Sequence, residues 1–270
     1  MSRVKLPPWA VGLLGTAAAL GLWWVGAATF LRGIGSPGAG APGAIPTPGQ
    51  ILSQMGEDGW GFYWRNASVT LAEAGTGYAW GNALALALAF LVLLVPRVER
   101  LATQLAVVSY CLPVVAVGPV IFIVLGPPRS GEPSGTAVAL AALSVFFTTM
   151  VSALAGLKAA DRACLDVVEV FGGRRIHQLV KVRMIAAVPA VLAALKIAAP
   201  AALLGAILGE YVGGVDRGLG PAMVNAQQTL EVARVWGVAF VCAALAGGVY
   251  AALGMLSRRA APWAFRAGGI

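Results

Sequence analysis

Six apolar stretches follow one another along the sequence, each about as long as the roughly 20 residues that a membrane-spanning helix needs. The composition agrees with this pattern, since 59% of the 270 residues are apolar and only 11% are charged. Soluble domains carry about 25% charged residues. The sequence therefore predicts an all-helical polytopic membrane protein with six transmembrane helices, and it argues against a soluble enzyme. The predicted spans are 9–31, 69–95, 103–126, 136–157, 185–209 and 235–256.

The segments between the spans divide the chain into three parts. Residues 1–64 hold the first span, a Gly- and Pro-rich loop and a short interfacial helix over 50–64, whose aromatic side chains suit headgroup depth. Residues 65–257 form a core of five spans, and 258–270 form a basic tail. The first span could instead be a signal peptide, because basic residues precede it, but its apolar stretch exceeds the roughly 7–15 residues of a signal sequence.

Basic residues are concentrated on one side of the predicted membrane. The net charge is +8, and 13 of the 19 Lys and Arg residues lie on the side that holds both termini. Five lie on the other side, and Lys196 lies within a span. Because loops rich in Lys and Arg stay in the cytoplasm, this bias predicts cytoplasmic N and C termini and favours membrane topology over nucleic-acid binding as the reason for the charge.

The longest loop on the basic side, 158–183, has amphipathic character. Asp161 is suited to an N-cap, and an apolar stripe at helical spacing follows it. The pair Gly172-Gly173 separates this stripe from a second one, so two short helices under the membrane are predicted. Periodicity alone is equally typical of a helix on anionic lipid and of a docking element for a cytoplasmic partner. The first stripe consists of Cys164, Val167, Val168 and Phe171, and the second of Ile176, Leu179 and Val180.

The loop resembles the EAA loop of ABC importer permeases. Asp166-Val167-Val168, three residues and then Gly172 follow the spacing of the family's Glu-Ala-Ala-x3-Gly, although Asp and Val replace Glu and Ala. Further similarities occur in the same order as in the family, over roughly residues 45–257. They are Ile45-Pro46-Thr47-Pro48, which resembles the nitrate/sulfonate/taurine branch, Pro113 to Pro119, Leu195-Lys196-Ile197-Ala198, Glu210-Tyr211 and Gly218-Leu219-Gly220. Glu73 stands where relatives usually carry Arg.

This resemblance implies a fold like that of type I ABC importer permeases and a transport function. The chain would be a non-catalytic subunit in the bacterial inner membrane, without a cofactor of its own, since ATP binds to the partner subunits. Expected partners are a cytoplasmic ABC ATPase dimer, an external substrate-binding protein and a second permease copy. Expected substrates are nitrate, a sulfonate, taurine or a similar small solute, or a pyrimidine- or flavin-type precursor. The residues implied to couple to the ATPase are Asp166, Val167, Val168, Phe171, Gly172, Arg174 and Arg175.

Polar, ionisable and kink-forming residues within the spans suggest a translocation pathway. Proline frees backbone carbonyls, and irregular backbone within a membrane is tolerated where it lines a cavity. Lys196 and Glu210 are 14 residues apart and so share one helix face; Lys196 is expected to meet a water-filled pathway or a group on another span, and to favour anions. The alternatives are a lysine that packs within the bundle and a carboxylate at a helix end. The candidates are Ser109, Tyr110, Pro113, Pro119, Thr148, Thr149, Lys196 and Glu210.

Two other kinds of protein fit the sequence less well. A transporter driven by an ion gradient is expected to have repeated halves and an ionisable relay, and no clear repeat is visible. A scaffold or membrane enzyme would leave the match of loop and spans unexplained. The sequence contains no Gly-x4-Gly-Lys-Ser/Thr phosphate loop and no nucleophile–base pattern. Its three cysteines are far apart, which is not typical of a zinc site or of structural disulfides.

Overall fold

A computed structural model describes residues 7–35, 43–128 and 132–263, and the regular secondary structure in these ranges is helical. Five of its helices are long and apolar enough to cross a membrane, and α3 and α4 together would make a sixth, bent span. The all-helical prediction is therefore confirmed. The helices are α1 (Pro8–Ala28), α2 (Pro48–Leu94), α3 (Glu99–Cys111), α4 (Val114–Leu125), α5 (Gly135–Lys158), α6 (Arg162–Val170), α7 (Arg175–Gln178), α8 (Met184–Val212), α9 (Leu219–Gln228) and α10 (Val232–Ala260).

Helix α2 contains both the predicted interfacial helix and the second predicted span. The break in this helix does not lie at the end of the predicted interfacial helix. The helix begins at a capping box, in which the Thr47 backbone N–H donates to Oε1 of Gln50 at 2.8 Å. Residues 65–68, which separate the predicted interfacial helix from the predicted span, are helical as well. The break lies at Gly59, with φ 72° and ψ 158°. Only glycine adopts this backbone conformation readily, which explains why the helix bends there.

The third predicted span is broken rather than kinked. Helices α3 and α4 meet at an angle of 99°. The break falls at Leu112 and Pro113, where Leu112 has the extended conformation that a following proline favours. Pro119, the second predicted kink, lies inside α4. One of the two prolines therefore marks the break between the helices, and the other is accommodated within a helix.

The described residues form two compact units. The first contains the described residues up to Trp64 together with Ala222–Val241, and the second contains Arg65–Pro221 together with the described residues from Cys242 onward. In the first unit, the Trp23 ring lies 5.5 Å from the ring of Trp236, measured between centroids. The second unit contains most of the spans and the predicted coupling loop.

Small residues bring three helices of the second unit into close contact. A Cβ atom added at Gly205 of α8 would lie 2.8 Å from the Cα of Ala141 on α5, which is closer than real Cβ atoms approach. The same is true of Gly81 on α2, whose added Cβ would lie 2.8 Å from the Cα of Ala142. Gly205, Gly209 and Gly213 follow one another at intervals of four residues, a pattern that permits close helix packing, and here they lie between α8 and α5. The matching contact between α2 and α5 was not predicted.

Candidate functional site

The loop predicted to couple to an ATPase contains the two helices that were expected, α6 and α7. However, α7 is not a separate short helix, since helical structure continues from it through Leu179–Arg183 into α8. The Asp161 carboxylate accepts a hydrogen bond from the backbone N–H of Ala163 at 3.0 Å, which caps α6. At the start of α7, the backbone N–H of Arg174 donates to Nδ1 of His177 at 3.0 Å. Gln178 links the two helices by donating to the backbone carbonyl of Leu165 at 3.2 Å. The segment is thus a fixed structure, capped at both helix starts.

The glycine pair ends α6 in a Schellman motif. The N–H of Gly172 donates to the carbonyl of Glu169, and that of Gly173 donates to the carbonyl of Val168, both at 2.8 Å. Gly172 has φ 75°, and no atom lies within 4 Å of a Cβ added there. A Cβ at Gly173 would overlap with Val168. Within this chain, Gly172 therefore serves as a helix cap with open space beside it, and Gly173 serves close packing.

Three apolar side chains of this loop point away from the rest of the chain. Val167 is 55% exposed, Val170 84% and Phe171 86%. We call these three residues the α6 patch. Val168, which the sequence placed in the same stripe, is half-buried, because the Schellman turn brings Gly173 against it. Val170 was missed, although it stands three residues after Val167 and so shares its face.

Charged residues surround the α6 patch. Asp166, Arg174 and Arg175 are all exposed, so these predicted coupling residues are accessible to a partner. Arg175 also lines a cavity of about 390 Å³. An ion pair between Lys158 of α5 and Glu99 of α3 borders the same cavity. The loop is therefore anchored beside the ends of α2, α3 and α5. The remaining cavity-lining residues are Val92, Leu93, Leu94, Pro96, Gln178, Leu179 and Arg183.

The predicted pathway residues are distributed over several helices. Thr149 is buried and donates to Oδ1 of Asn82 on α2 at 2.5 Å. The Tyr110 ring stacks on that of Phe147, with 4.4 Å between centroids. The Ser109 hydroxyl bonds to a carbonyl of its own helix. Their role in transport stays a prediction. Of the others, Pro113 and Pro119 are exposed and Thr148 is half-buried.

Lys196, in the middle of α8, meets an aromatic ring on another span. Its Nζ lies 4.2 Å from the ring centroid of Tyr250 on α10, within the range of a cation–π interaction. Its aliphatic stem lies beside Gly254, where an added Cβ would be 3.3 Å from Cε. The predicted partner on another span is thus Tyr250, a residue that the sequence analysis did not single out.

A buried polar cluster lies between α2 and α8, in the second unit. It comprises Asn66, Thr70 and Glu73 on α2, Ser134 before α5, and Glu210 on α8. Glu73 is 0% and Glu210 2% exposed. Glu210 was a predicted pathway residue, whereas the others were not recognised as a group. Their spacing on α2, at positions i, i+4 and i+7, places them on one helix face.

Neutral donors surround the two carboxylates of this cluster. The Thr70 hydroxyl donates to Oε1 of Glu210 at 2.5 Å, and the backbone N–H of Gly220 donates to Oε2 at 2.7 Å. The backbone N–H of Ser134 donates to Oε1 of Glu73 at 2.6 Å. A Cβ at Gly218 would lie 2.5 Å from Cδ of Glu210, so the turn before α9 needs a glycine here. The cluster therefore joins α2, α8 and the Gly218–Gly220 turn.

Neither a metal nor a disulfide site is present in the described ranges. No group of three or more His, Cys, Asp or Glu residues is placed to hold a metal ion there. The three cysteines, Cys111, Cys164 and Cys242, are free thiols. The chemistry that these ranges offer is thus hydrogen bonding, charge and apolar contact.

A family match covers more than half of the chain. The family described as "Binding-protein-dependent transport system inner membrane component" matches residues 81–262. This range includes the α6 patch, Lys196 and Glu210, and it begins after Glu73.

Three named relatives are similar over most of their length. The chain is 27% identical over 224 residues to the formylaminopyrimidine transport permease protein ThiX of Halalkalibacterium halodurans, covering 83% of this chain and 87% of the relative. It is 26% identical over 196 residues to a probable ABC transporter permease protein of Haemophilus influenzae, covering 73% and 78%. It is 23% identical over 256 residues to SsuC of Bacillus subtilis, provisionally named an aliphatic sulfonates transport permease protein, covering 94% and 88%.

Proposed function

The chain belongs to the family of binding-protein-dependent transport system inner membrane components, and we propose that it forms the membrane pathway of an ATP-driven importer for a small anionic or polar organic solute. As a member of this family it is a multi-pass inner-membrane protein and a non-catalytic transport subunit without a cofactor. Such a system also includes an ATPase and a binding protein. The predictions of an ABC permease, of a non-catalytic subunit and of a cofactor-free chain are confirmed.

The α6 patch is the proposed docking surface for the ATPase. The observation that carries this proposal is the exposure of Phe171, 86%, at the end of a capped helix in a polar loop. Burying a side chain of this size in a partner groove contributes roughly 1.5–3 kcal/mol. Asp166, Arg174 and Arg175 would contact polar groups at the rim of the groove. Gly172 leaves open space beside the patch, so a partner surface could approach the backbone there.

Movement of the loop would be transmitted to the spans through α7 and α8. Helical structure continues from Arg175 to Val212 without a break in the chain, through one π-helical turn at Leu179–Arg183. Leu179 is buried, which anchors this turn to the body of the second unit. A displacement of α6 by a closing ATPase dimer would therefore move α8. Because α8 packs closely on α5 through Gly205, the two helices would move together.

The proposed orientation places both termini and loop 158–183 in the cytoplasm. The distribution of Lys and Arg supports it, with 13 of 19 on that side. The Gly218–Gly220 turn would then face outward, on the side of the binding protein. A second copy of this chain would complete the pathway, because a type I permease functions as a pair in the family that the sequence resembles.

The substrate is proposed at the level of a chemical class. One relative is named for formylaminopyrimidine transport and another, provisionally, for aliphatic sulfonates. Both names describe small polar compounds. The relative named for formylaminopyrimidine transport is 27% identical and the one named for sulfonates 23%, which supports a pyrimidine-type precursor as a candidate beside nitrate, a sulfonate or taurine. Lys196, within the membrane, would favour an anion over a cation.

Reconstitution tests this function. The chain, its ATPase and its binding protein would be placed in liposomes and supplied separately with a sulfonate, taurine, nitrate and formylaminopyrimidine. We expect uptake of one of these classes that requires ATP and the binding protein. Uptake driven by a proton or sodium gradient in the absence of ATP would contradict the proposal and support a secondary transporter.

A further inference from the structure

The two carboxylates of the polar cluster are buried, and no Lys, Arg or His side chain among the described residues forms an ion pair with either of them. Thr70 stands one turn before Glu73 on the same face of α2 and donates to Glu210 at 2.5 Å, which brings Glu73 beside Glu210. The two carboxyl side chains interact there. The three ion pairs among the described residues, Lys158–Glu99, Arg234–Asp58 and Arg234–Glu231, involve neither of them. Two ionised carboxylates in contact and out of water would repel each other, and burial would disfavour both charges. The contact therefore needs something that removes one charge.

The donors around the pair show where a proton would reside. Both oxygens of Glu210 accept hydrogen bonds, from the Thr70 hydroxyl and from the Gly220 N–H. Oε1 of Glu73 accepts from the Ser134 N–H. Oε2 of Glu73 is buried, and none of the described backbone N–H or side-chain donors reaches it. It is the one carboxylate oxygen of the pair without a described donor. A proton bound to this oxygen therefore displaces no existing hydrogen bond.

We propose that Glu73 and Glu210 form a proton-binding site, in which one proton taken from water is carried on Oε2 of Glu73 and donated to the Glu210 carboxylate. The bound proton converts a repulsive contact into a charge-assisted hydrogen bond. It thereby holds α2 to α8 and to the Gly218–Gly220 turn. When the proton returns to water, the two carboxylates repel and this contact weakens. The site is independent of the proposed docking surface on α6.

The neighbouring titratable groups do not replace the proton. Cys242 of α10 lies near enough for the charge of Glu210 to act on it, and a thiol carries no positive charge that could compensate a carboxylate. Asp216 and Arg217, in the loop that leads to Gly218, are exposed, so water screens their charges. Ser134, before α5, meets Glu73 with its backbone N–H, and its uncharged hydroxyl caps α5 by accepting from the backbone N–H of Ala137.

A sodium or potassium ion fits the site less well than a proton. A hard cation takes several oxygen ligands. The oxygens of Glu210 already face hydroxyl and N–H donors, whose hydrogens would repel a cation. Of the four carboxylate oxygens in the site, only Oε2 of Glu73 has no described donor, and one carboxylate oxygen does not make a cation site.

Melting of the full-length chain in detergent, measured between about pH 6 and pH 9, tests the proposal. A carboxyl that keeps its proton when folded and loses it when unfolded stabilises fully at low pH, and this contribution falls as the pH rises. The folding equilibrium constant should therefore fall up to about tenfold per pH unit because of this site. In Glu73→Gln, an amide N–H donates permanently in place of the proton, so this part of the pH dependence should disappear. Glu132→Gln, an exposed carboxyl of the second unit, should keep the wild-type slope.

Two further measurements test the proposal, and the first of them does not need Glu73→Gln to fold. The infrared spectrum of the wild-type protein should contain the carbonyl band of a protonated, deuterium-sensitive carboxylic acid at neutral pH, and its absence would overturn the proposal. Glu210→Gln should melt lower than Glu73→Gln, because its amide N–H2 would face the donors of Thr70 or Gly220. Parallel pH slopes for wild type and Glu73→Gln would also overturn it. So would a melting temperature of the wild type that rises with sodium at constant pH and ionic strength.

Discussion

Arg234 holds a single carboxylate oxygen of Asp58 with two of its guanidinium nitrogens, Nε at 2.9 Å and Nη2 at 2.6 Å, although 176 residues separate the two in sequence. The Asp58 side chain is only 3% exposed. Its other hydrogen bonds come from Gln54 at 3.0 Å and from the Tyr63 hydroxyl at 2.9 Å. The pair therefore joins the first segment of α2 to the start of α10 within the first unit.

We predict that Arg234→Met destabilises the folded chain by about 3 kcal/mol, the lower end of the range for breaking a buried ion pair. The lower end applies because the Arg234 side chain is 26% exposed. The measurement is the melting temperature in detergent. Arg65→Met, at an exposed arginine, should have little effect. Adding Asp58→Asn to Arg234→Met should recover part of the loss, and strictly additive losses would contradict a direct interaction.

The α6 patch supports a prediction about coupling. Phe171→Ser should weaken binding of the ATPase by tenfold or more, since it removes roughly 1.5–3 kcal/mol of apolar burial and about 1.4 kcal/mol corresponds to tenfold in affinity. Phe30→Ser is the matched control, because both side chains are 86% exposed. The measurement is co-purification of the ATPase and its substrate-stimulated ATP hydrolysis. Equal behaviour of the two variants would show that the patch is not the docking surface.

Gly172 allows cap geometry to be separated from partner contact. Its φ of 75° suits Asn as well as Gly, whereas a β-branched residue is strained there. If the glycine serves only the helix cap, Gly172→Asn should keep most of the ATP-dependent uptake and Gly172→Val should lose it. Loss of uptake in both variants, with the ATPase no longer bound, would instead indicate that the partner backbone approaches this position closely.

Local patterns predicted the helices, because span length and the spacing of apolar residues are contained in short stretches of sequence. The Asp161 cap was found for the same reason. The break at Gly59 was not predicted. The sequence has three nearby glycines, Gly56, Gly59 and Gly61, and it does not show which of them leaves the helical conformation. Val168 turned out half-buried because the Schellman turn folds Gly173 against it, which apolar spacing does not reveal.

The partners of the ionisable residues could not be predicted. The rule that a charge within a span is costly singled out Lys196 and Glu210. It could equally have marked Glu73 as part of a site. The rule names no partner, however, and the contacts of these residues span long distances in sequence. Thr70 is 140 residues from Glu210, and Ser134 is 61 residues from Glu73. Whether two residues so far apart in sequence meet depends on how α2 packs against helices that come later in the chain.

The proposed topology can be tested with a native cysteine. Cys164 is exposed at the start of α6, and Asn225 of α9 is exposed as well. In a chain that keeps only Cys164, an impermeant thiol reagent should not react in intact cells but should react after the membrane is permeabilised. In a cysteine-free chain, Asn225→Cys should react in intact cells. The opposite pattern would reverse the orientation and place the α6 patch outside.

Lys196 supports the last prediction, which concerns transport. Its Nζ lies 4.2 Å from the Tyr250 ring, and a cation–π contact of this kind contributes roughly 0.5–2 kcal/mol. Because this contact is modest and Met can fill the space of the lysine stem beside Gly254, Lys196→Met should assemble and hydrolyse ATP normally. If the charge attracts an anion within the membrane, uptake should nevertheless fall, most strongly for an anionic substrate. Tyr250→Phe, which keeps the ring, should transport normally. Wild-type uptake by Lys196→Met would assign the lysine to helix packing alone and remove it from the pathway.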